Sequence, residues 1–504
     1  MRINTEVWVS PAGVRTPTDT EARAGVSFPS VDGSRSTSAT GRAILADAAH
    51  AADPDLAERI LACRDWRKGY APLVRELTAA SISDSEGATS IARAGLASMR
   101  SRLTFADRDH ETTLDVALAE VRPAYELGTG AIRGTGRPVR ELRVPYRGGE
   151  LSGRELTEQL DRWVEAGSVE PSFVTAIGRV AENPDWLALP GRSVALVGAG
   201  AEIGPLAPLC SWGVEVLALD VPRSGVWKRI GETARAGAGT VHVPLAADGS
   251  QGVDLVRDLP EAHAWLQRGG RSGDLTLGMY AYADGGEHVR VTGAFDALAT
   301  ELVSAGHAEA IAYLATPTDA FVVPEEAARW ARSAYSDRRL RRVLQAPAKA
   351  LSGDRLYHPA YADGLPVADA LVSQQGPNYA LAKRLQRWRG VAAVADGQRV
   401  SFNVAPSTLT RSVTKNRILA AAYAGAHHFG IEIFAPETTS TLMAALLVHD
   451  LNTAPASRSH PERLFSDGAA HGGLWRAAYE PRSALGIAAL AGLPAVLVGR
   501  GGRS

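Results

Sequence analysis

The chain has 504 residues, 45% of them hydrophobic and 22% charged, a length that suits two or more domains and a composition ordinary for a globular protein. A formal net charge of −1 gives no electrostatic basis for binding nucleic acid or an anionic membrane. Two cysteines, Cys63 and Cys210, argue against a disulfide framework or a cysteine metal cluster. The N-terminus has no apolar signal core and no apolar run reaches membrane-spanning length, so a cytoplasmic protein is expected.

Residues 10–40 are rich in Ser, Thr, Gly and Pro and read as a loosely ordered or surface-draped arm. From Gly41 to Thr104 apolar residues recur at three- and four-residue steps, which predicts helices. Residues 128–150 read as a loop or a pair of short strands. An amphipathic helix follows over Gly153–Val164. Residues 1–190 are thus expected to form a mostly helical N-terminal extension.

From residue 193 strands and helices alternate. Strands are predicted at Val194–Val197, Val214–Leu219, Thr240–Val243, Leu275–Tyr280, Ala310–Ala315 and Arg399–Val404. Alternation of this kind implies βαβ units. The expected fold is α/β: a Rossmann-like, doubly wound parallel sheet in three αβα layers over residues 191–455. Residues 320–370 read as an insertion over the C-terminal edge of the sheet, where substrates bind in such folds, and are expected to act as a lid. Residues 456–504 form a C-terminal extension expected near the substrate.

The first strand leads into Val197-Gly-Ala-Gly-Ala-Glu-Ile-Gly204. Glycine lets backbone come close to phosphate, because it has no Cβ and tolerates positive φ. A helix after such a turn aims free N–H groups at a diphosphate. Gly198, Gly200, Ala201, Glu202, Ile203 and Gly204 are therefore candidate cofactor-binding residues. Asp220 ends the next strand, where a carboxylate accepts hydrogen bonds from ribose hydroxyls. It repels a 2′-phosphate and so favours NAD; Arg223, three residues on, offsets this and leaves NADP open. An S-adenosylmethionine-dependent methyltransferase uses the same kind of turn and acid and is the main rival.

Tyr379 and Lys383 are four residues apart, hence on one face of a helix. A tyrosine near an ammonium can exchange a proton with a carbonyl oxygen near neutral pH. With Asn378-Tyr-Ala-Leu-Ala-Lys383 and Arg399-Val-Ser-Phe-Asn-Val-Ala-Pro406 behind the Gly-rich turn, residues 190–450 resemble the short-chain dehydrogenase/reductase superfamily. Val197 replaces the leading Thr of that family's turn, Glu202 its middle Gly, and Ser407 the Gly after its Pro. Tyr282-Ala-Asp-Gly-Gly286 occupies the place of its Asn-Asn-Ala-Gly turn. Ala435-Pro-Glu437 looks like the start of a later family helix.

The resemblance implies an oxidoreductase that moves hydride between NAD or NADP and a carbonyl or alcohol. Tyr379 is then the acid/base and Lys383 its partner and ribose clamp. Asp248 matches the acid near the adenine, and Ala283, Pro406 and Thr408 fall beside the cofactor. The family's serine is missing a dozen residues before Tyr379. Thr316 is the candidate replacement, with Thr318 or Ser373 as alternatives. The family also implies a homo-oligomer. Arg476 and Arg482 are noted as possible grips for an anionic substrate group, although ion pairing suits each better. A relative that binds nucleotide without catalysis is the third reading.

Overall fold

The protein is described by a computed structural model covering residues 25–107, 110–269, 275–338, 353, 356–372, 374–455 and 457–501, the last seven as backbone only. Seven strands form the central sheet: β1 Gly128–Arg133, β2 Ser193–Val197, β3 Glu215–Leu219, β4 Thr240–Leu245, β5 Leu275–Met279, β6 Ala310–Ala315 and β7 Arg399–Val404. Their spatial order is β7-β6-β5-β2-β3-β4-β1. β2 to β7 are parallel and match the six predicted strands; β1 joins antiparallel to β4, from Gly128 opposite Leu245 to Arg133 opposite Thr240. The architecture is the expected Rossmann-like αβα fold.

β2 reads Ser-Val-Ala-Leu-Val and is buried along its whole length, as a parallel strand covered on both faces must be. Its side chains divide by the two-residue period of a strand. Ala195 and Val197 join one apolar core, and Val194 and Leu196 join the other. On the first face lie the helices Leu259–Gly269, Gly286–Ser304 and Pro377–Ala395; on the second lie Leu206–Trp212, Ser224–Ala236 and Pro436–Asn452.

The described residues before 191 pack on both faces. Helices Thr37–His50, Trp66–Ala80 and Ser85–Arg102 extend the first core, while Gly153–Glu165 and Pro171–Glu182 extend the second. Gly95 lies against Trp388, and a Cβ there would stand 2.2 Å from the indole ring.

Two expectations need correction. The arm at residues 10–40 is, from residue 25 onward, part of the fold: Gly25–Ser27 pairs with Thr104–Asp107, and Val26 and Phe28 are buried. The first helix starts at Thr37 rather than Gly41. Two apolar residues in a polar run were too few to register as a strand. Residues 10–24 and Ser373 lie outside the described residues. Among the described residues, no helix is long and apolar enough to cross a membrane.

Candidate active site

The crossovers leaving β2 and β5 run to opposite sides of the sheet, so a crevice opens between these neighbouring strands at their C-terminal ends. Gly198 sits at that point with φ +83°, and a Cβ there would lie 2.4 Å from the Ala281 backbone after β5. Only glycine fits both the left-handed backbone and the close approach. The crevice widens into a cleft of about 990 Å³, near the top of the range of roughly 300–1,000 Å³ usual for small-molecule sites.

Almost all of the predicted site residues line this one cleft. Gly198, Gly200 to Gly204, Asp220 and Arg223 form one side. Ala283, Thr316, Tyr379, Lys383, Pro406 and Thr408 line the rest. Asp248 is not among the lining residues; it is exposed and accepts a hydrogen bond from Ser250 N at 2.9 Å. Asp254, which sequence reasoning passed over, lines the cleft instead.

Asp220 is tied to the Gly-rich turn. One carboxylate oxygen accepts from Gly200 N at 2.9 Å and the other from Val221 N at 2.8 Å. Burial raises its pKa against the lowering effect of those two bonds. A Cβ on Gly200 would come within 2.8 Å of Val226 and 3.2 Å of the Asp220 carboxylate, so glycine keeps the turn open beside the acid. The helix that follows begins only at Leu206 and has seven residues.

Glu202 accepts from Arg411 N at 2.9 Å and lies 3.6 Å from the Arg411 guanidinium. It thereby links the Gly-rich turn to the segment after β7. A carboxylate in this turn repels phosphate, and Arg411 offsets that charge. The glycine turn, the acid after β3 and a cleft that runs on to Lys383 together fit a dinucleotide.

On the other side, the Tyr379 hydroxyl is 3.0 Å from Thr316 Oγ1, which is 3.1 Å from Thr318 Oγ1. Thr316 follows the end of β6, and Tyr379 occupies the first turn of the Pro377–Ala395 helix. The two hydroxyls meet although 63 residues separate them in sequence. Gln375 braces the group by donating to Thr318 O at 2.9 Å and accepting from Val372 N at 2.9 Å.

Lys383 lies one helical turn further on, as the spacing predicts, but its amine donates to Leu314 O at 3.3 Å and Gln386 Oε1 at 3.1 Å. Burial lowers its pKa to about 8, opposed by Asp319. Burial raises the Tyr379 phenol above its ordinary range, against the Thr316 hydrogen bond. The expected lowering of the tyrosine by Lys383 is therefore not what this arrangement produces: the amine faces a carbonyl and an amide, and desolvation governs the phenol.

Sequence reasoning missed His288. It is buried on the Gly286–Ser304 helix, with its ring 5.9 Å from that of Tyr379 at an interplanar angle of 24°. Its Nδ1 accepts from Ala283 N at 3.1 Å. Burial, then the Lys383 charge, pushes its pKa down to about 3, so it is neutral. A lone histidine inside a helical pattern carries no signal of such a neighbour.

The ion pairing expected of Arg476 and Arg482 is present. Arg476 is buried, with Glu170 at 3.0 Å, and Arg482 pairs with Asp369. His427 and His428 are exposed, with ring centroids 3.9 Å apart. In the 320–370 insertion, strand Ala320–Val322 pairs with Val367–Asp369 beside the Trp66–Ala80 helix, and among the described residues of that insertion only Ala370 lines the cleft.

No protein-family model matches the chain, and no curated protein matches it. Among solved structures, it is similar to the terminal R domain from the myxalamid PKS-NRPS biosynthetic pathway. The identity is 13% and the TM-score 0.28, over 56% of this chain and 67% of that one.

Proposed function

We propose that the protein is a nicotinamide-dependent oxidoreductase that reduces a carbonyl to an alcohol. The observation that carries this reading is the meeting of two distant segments on one cleft. The Gly-rich turn with Asp220 stands on one side and the Thr316–Tyr379 hydroxyl pair on the other. A methyltransferase has no need of the second group.

When bound, a reduced nicotinamide supplies the hydride that adds to the carbonyl carbon. Tyr379 gives its proton to the carbonyl oxygen as the C=O bond becomes C–OH. Burial raises its pKa, so at neutral pH the phenol is in the protonated form that can donate. Thr316 donates a hydrogen bond to the same oxygen and fixes its position. Lys383 holds the ribose through its amine. Neutral His288 packs on the Tyr379 ring and limits its orientation. Asp220 favours NAD, while Arg223 and Arg229, which also line the cleft, would offset that charge and admit NADP.

The test is a titration of the full chain with NADH, NADPH and S-adenosylmethionine, read by nicotinamide fluorescence and thermal shift. Binding of one or both nicotinamides, with turnover on a carbonyl panel, supports the proposal. Binding of S-adenosylmethionine alone overturns it. Nicotinamide binding without turnover on any carbonyl leaves a non-catalytic nucleotide-binding protein.

A further inference from the structure

The cleft is chemically lopsided. On the dinucleotide side, Glu202, Asp220, Arg223, Arg229 and Asp254 line it. From Leu419 to Ala488, no Asp, Glu, Lys, Arg or His does so among the described residues. That wall is made of side chains such as Leu419, Tyr423, Phe429, Ile433, Leu485 and Ala488.

The wall is preformed. Helices Arg417–Gly425 and Pro481–Gly501 touch through their backbones. A Cβ on Gly425 would lie 2.0 Å from Ala488 O, and one on Gly492 would lie 1.9 Å from Ala421 O. Glycine at both points lets the helices close so far that neither shifts without loss of contact.

The cations in or beside this stretch do not serve the wall: Lys415 and Arg417 are exposed and do not line the cleft. Arg476 is taken by Glu170 and Arg482 by Asp369. The cations that do line the cleft are Arg223, Arg229, Lys383 and Arg411. They stand beside Asp220, beneath Tyr379 or against Glu202. A carboxylate or phosphate pressed on the 419–488 wall would be buried without a counterion, which is costly.

Resting on the proposed reading of the cleft, we infer that the substrate is a carbonyl compound with an uncharged, apolar body, an alkyl or alicyclic ketone or aldehyde. Its oxygen sits at Thr316 and Tyr379, and its hydrocarbon part lies along the wall of Leu419 to Ala488.

The test uses 2-alkanones from four to twelve carbons and, with the full chain, oxo acids of equal length that are the same methyl ketones with a carboxylate at the far end of the alkyl chain, where it would meet the wall. Ligand-induced thermal shift is measured without nucleotide, and kcat/KM with NADH and NADPH. The expected result is a rise of about fourfold per added methylene until the wall is covered, with each oxo acid at least tenfold poorer than its matching ketone. In Leu485→Arg the dependence on chain length disappears while NADH affinity is kept; Phe429→Arg serves if the first variant does not fold by circular dichroism. A flat series, or a preference for the oxo acids, overturns the inference. Nucleotide binding with a flat series would remove this inference and leave the proposed function. Long ketones bound in a chain that binds no nicotinamide would do the reverse.

Discussion

At the scale of residues, the site turns on a hydroxyl pair and on the environment of one amine. Thr316 follows the end of β6, and its 3.0 Å contact with Tyr379 makes the two hydroxyls one unit. Tyr379→Phe keeps the ring that packs against His288 and removes the proton donor. Turnover should fall by about 10²- to 10⁴-fold, with the nicotinamide fluorescence titration unchanged; full activity in this variant would remove Tyr379 from the chemistry. Lys383 leaves a signature in stability. Its pKa falls from 10.5 to about 8 in the folded protein, so between these values the unfolded chain binds more protons. Stability from this group therefore rises with pH across the window from about 8 to 10.5, and below it the buried ammonium is a burden. Lys383→Met should be the more stable form at pH 7, and its urea midpoint should lack that rise between pH 8 and 10. Parallel pH curves for the two proteins would show that the amine is well solvated.

At the scale of elements, the Pro377–Ala395 helix is held by buried charges as well as apolar packing. Arg387 lies 2.8 Å from Glu462 and 3.5 Å from Asp319, and Arg384 donates to Thr78 at 2.8 Å. These contacts tie the helix that carries Tyr379 to the insertion, to the Trp66–Ala80 helix and to the C-terminal segment. Arg387→Ala leaves Asp319 and Glu462 buried with one partner fewer. Loss of one member of such a group costs about 3–5 kcal/mol, measurable as a lower urea midpoint, and a change under 1 kcal/mol would count against a structural role. None of this network is legible in the sequence, where Arg384 and Arg387 look like solvated helix residues. Strands β2 to β7 were legible because apolar runs bounded by turns carry their own signal. β1 was legible only as one of two alternatives, loop or short strand: Gly-Thr-Gly-Ala-Ile-Arg is half-exposed and is held as a strand by the edge of β4. The glycine turn and the Tyr379–Lys383 spacing were readable as local patterns. His288, Gln375 and the apolar wall join the cleft only through tertiary contacts between distant segments.

At the scale of the whole molecule, the described residues before 191 are woven into the sheet that carries the cleft. β1 covers the edge of β4, the helices between Thr37 and Arg102 cover the Tyr379 helix, and Gly153–Glu182 packs on the opposite face. Exposed strand edges and uncovered apolar faces promote association. A chain beginning at residue 191 would expose the β4 edge, Trp388 and the apolar faces now covered by both groups of helices. It should therefore be insoluble, or soluble only as an aggregate. The intact chain should unfold in one transition, with tryptophan fluorescence and far-UV circular dichroism coincident. A milder version acts at one contact. Gly95→Ala puts a Cβ 2.2 Å from the Trp388 ring, and overpacking of this kind costs about 1–3 kcal/mol. Because Trp388 belongs to the Tyr379 helix, that variant should lose stability and turnover together. If residues 191–504 instead give a soluble protein that unfolds cooperatively and binds nicotinamide, the first 190 residues are an accessory to the fold, and Gly95→Ala should then leave turnover untouched.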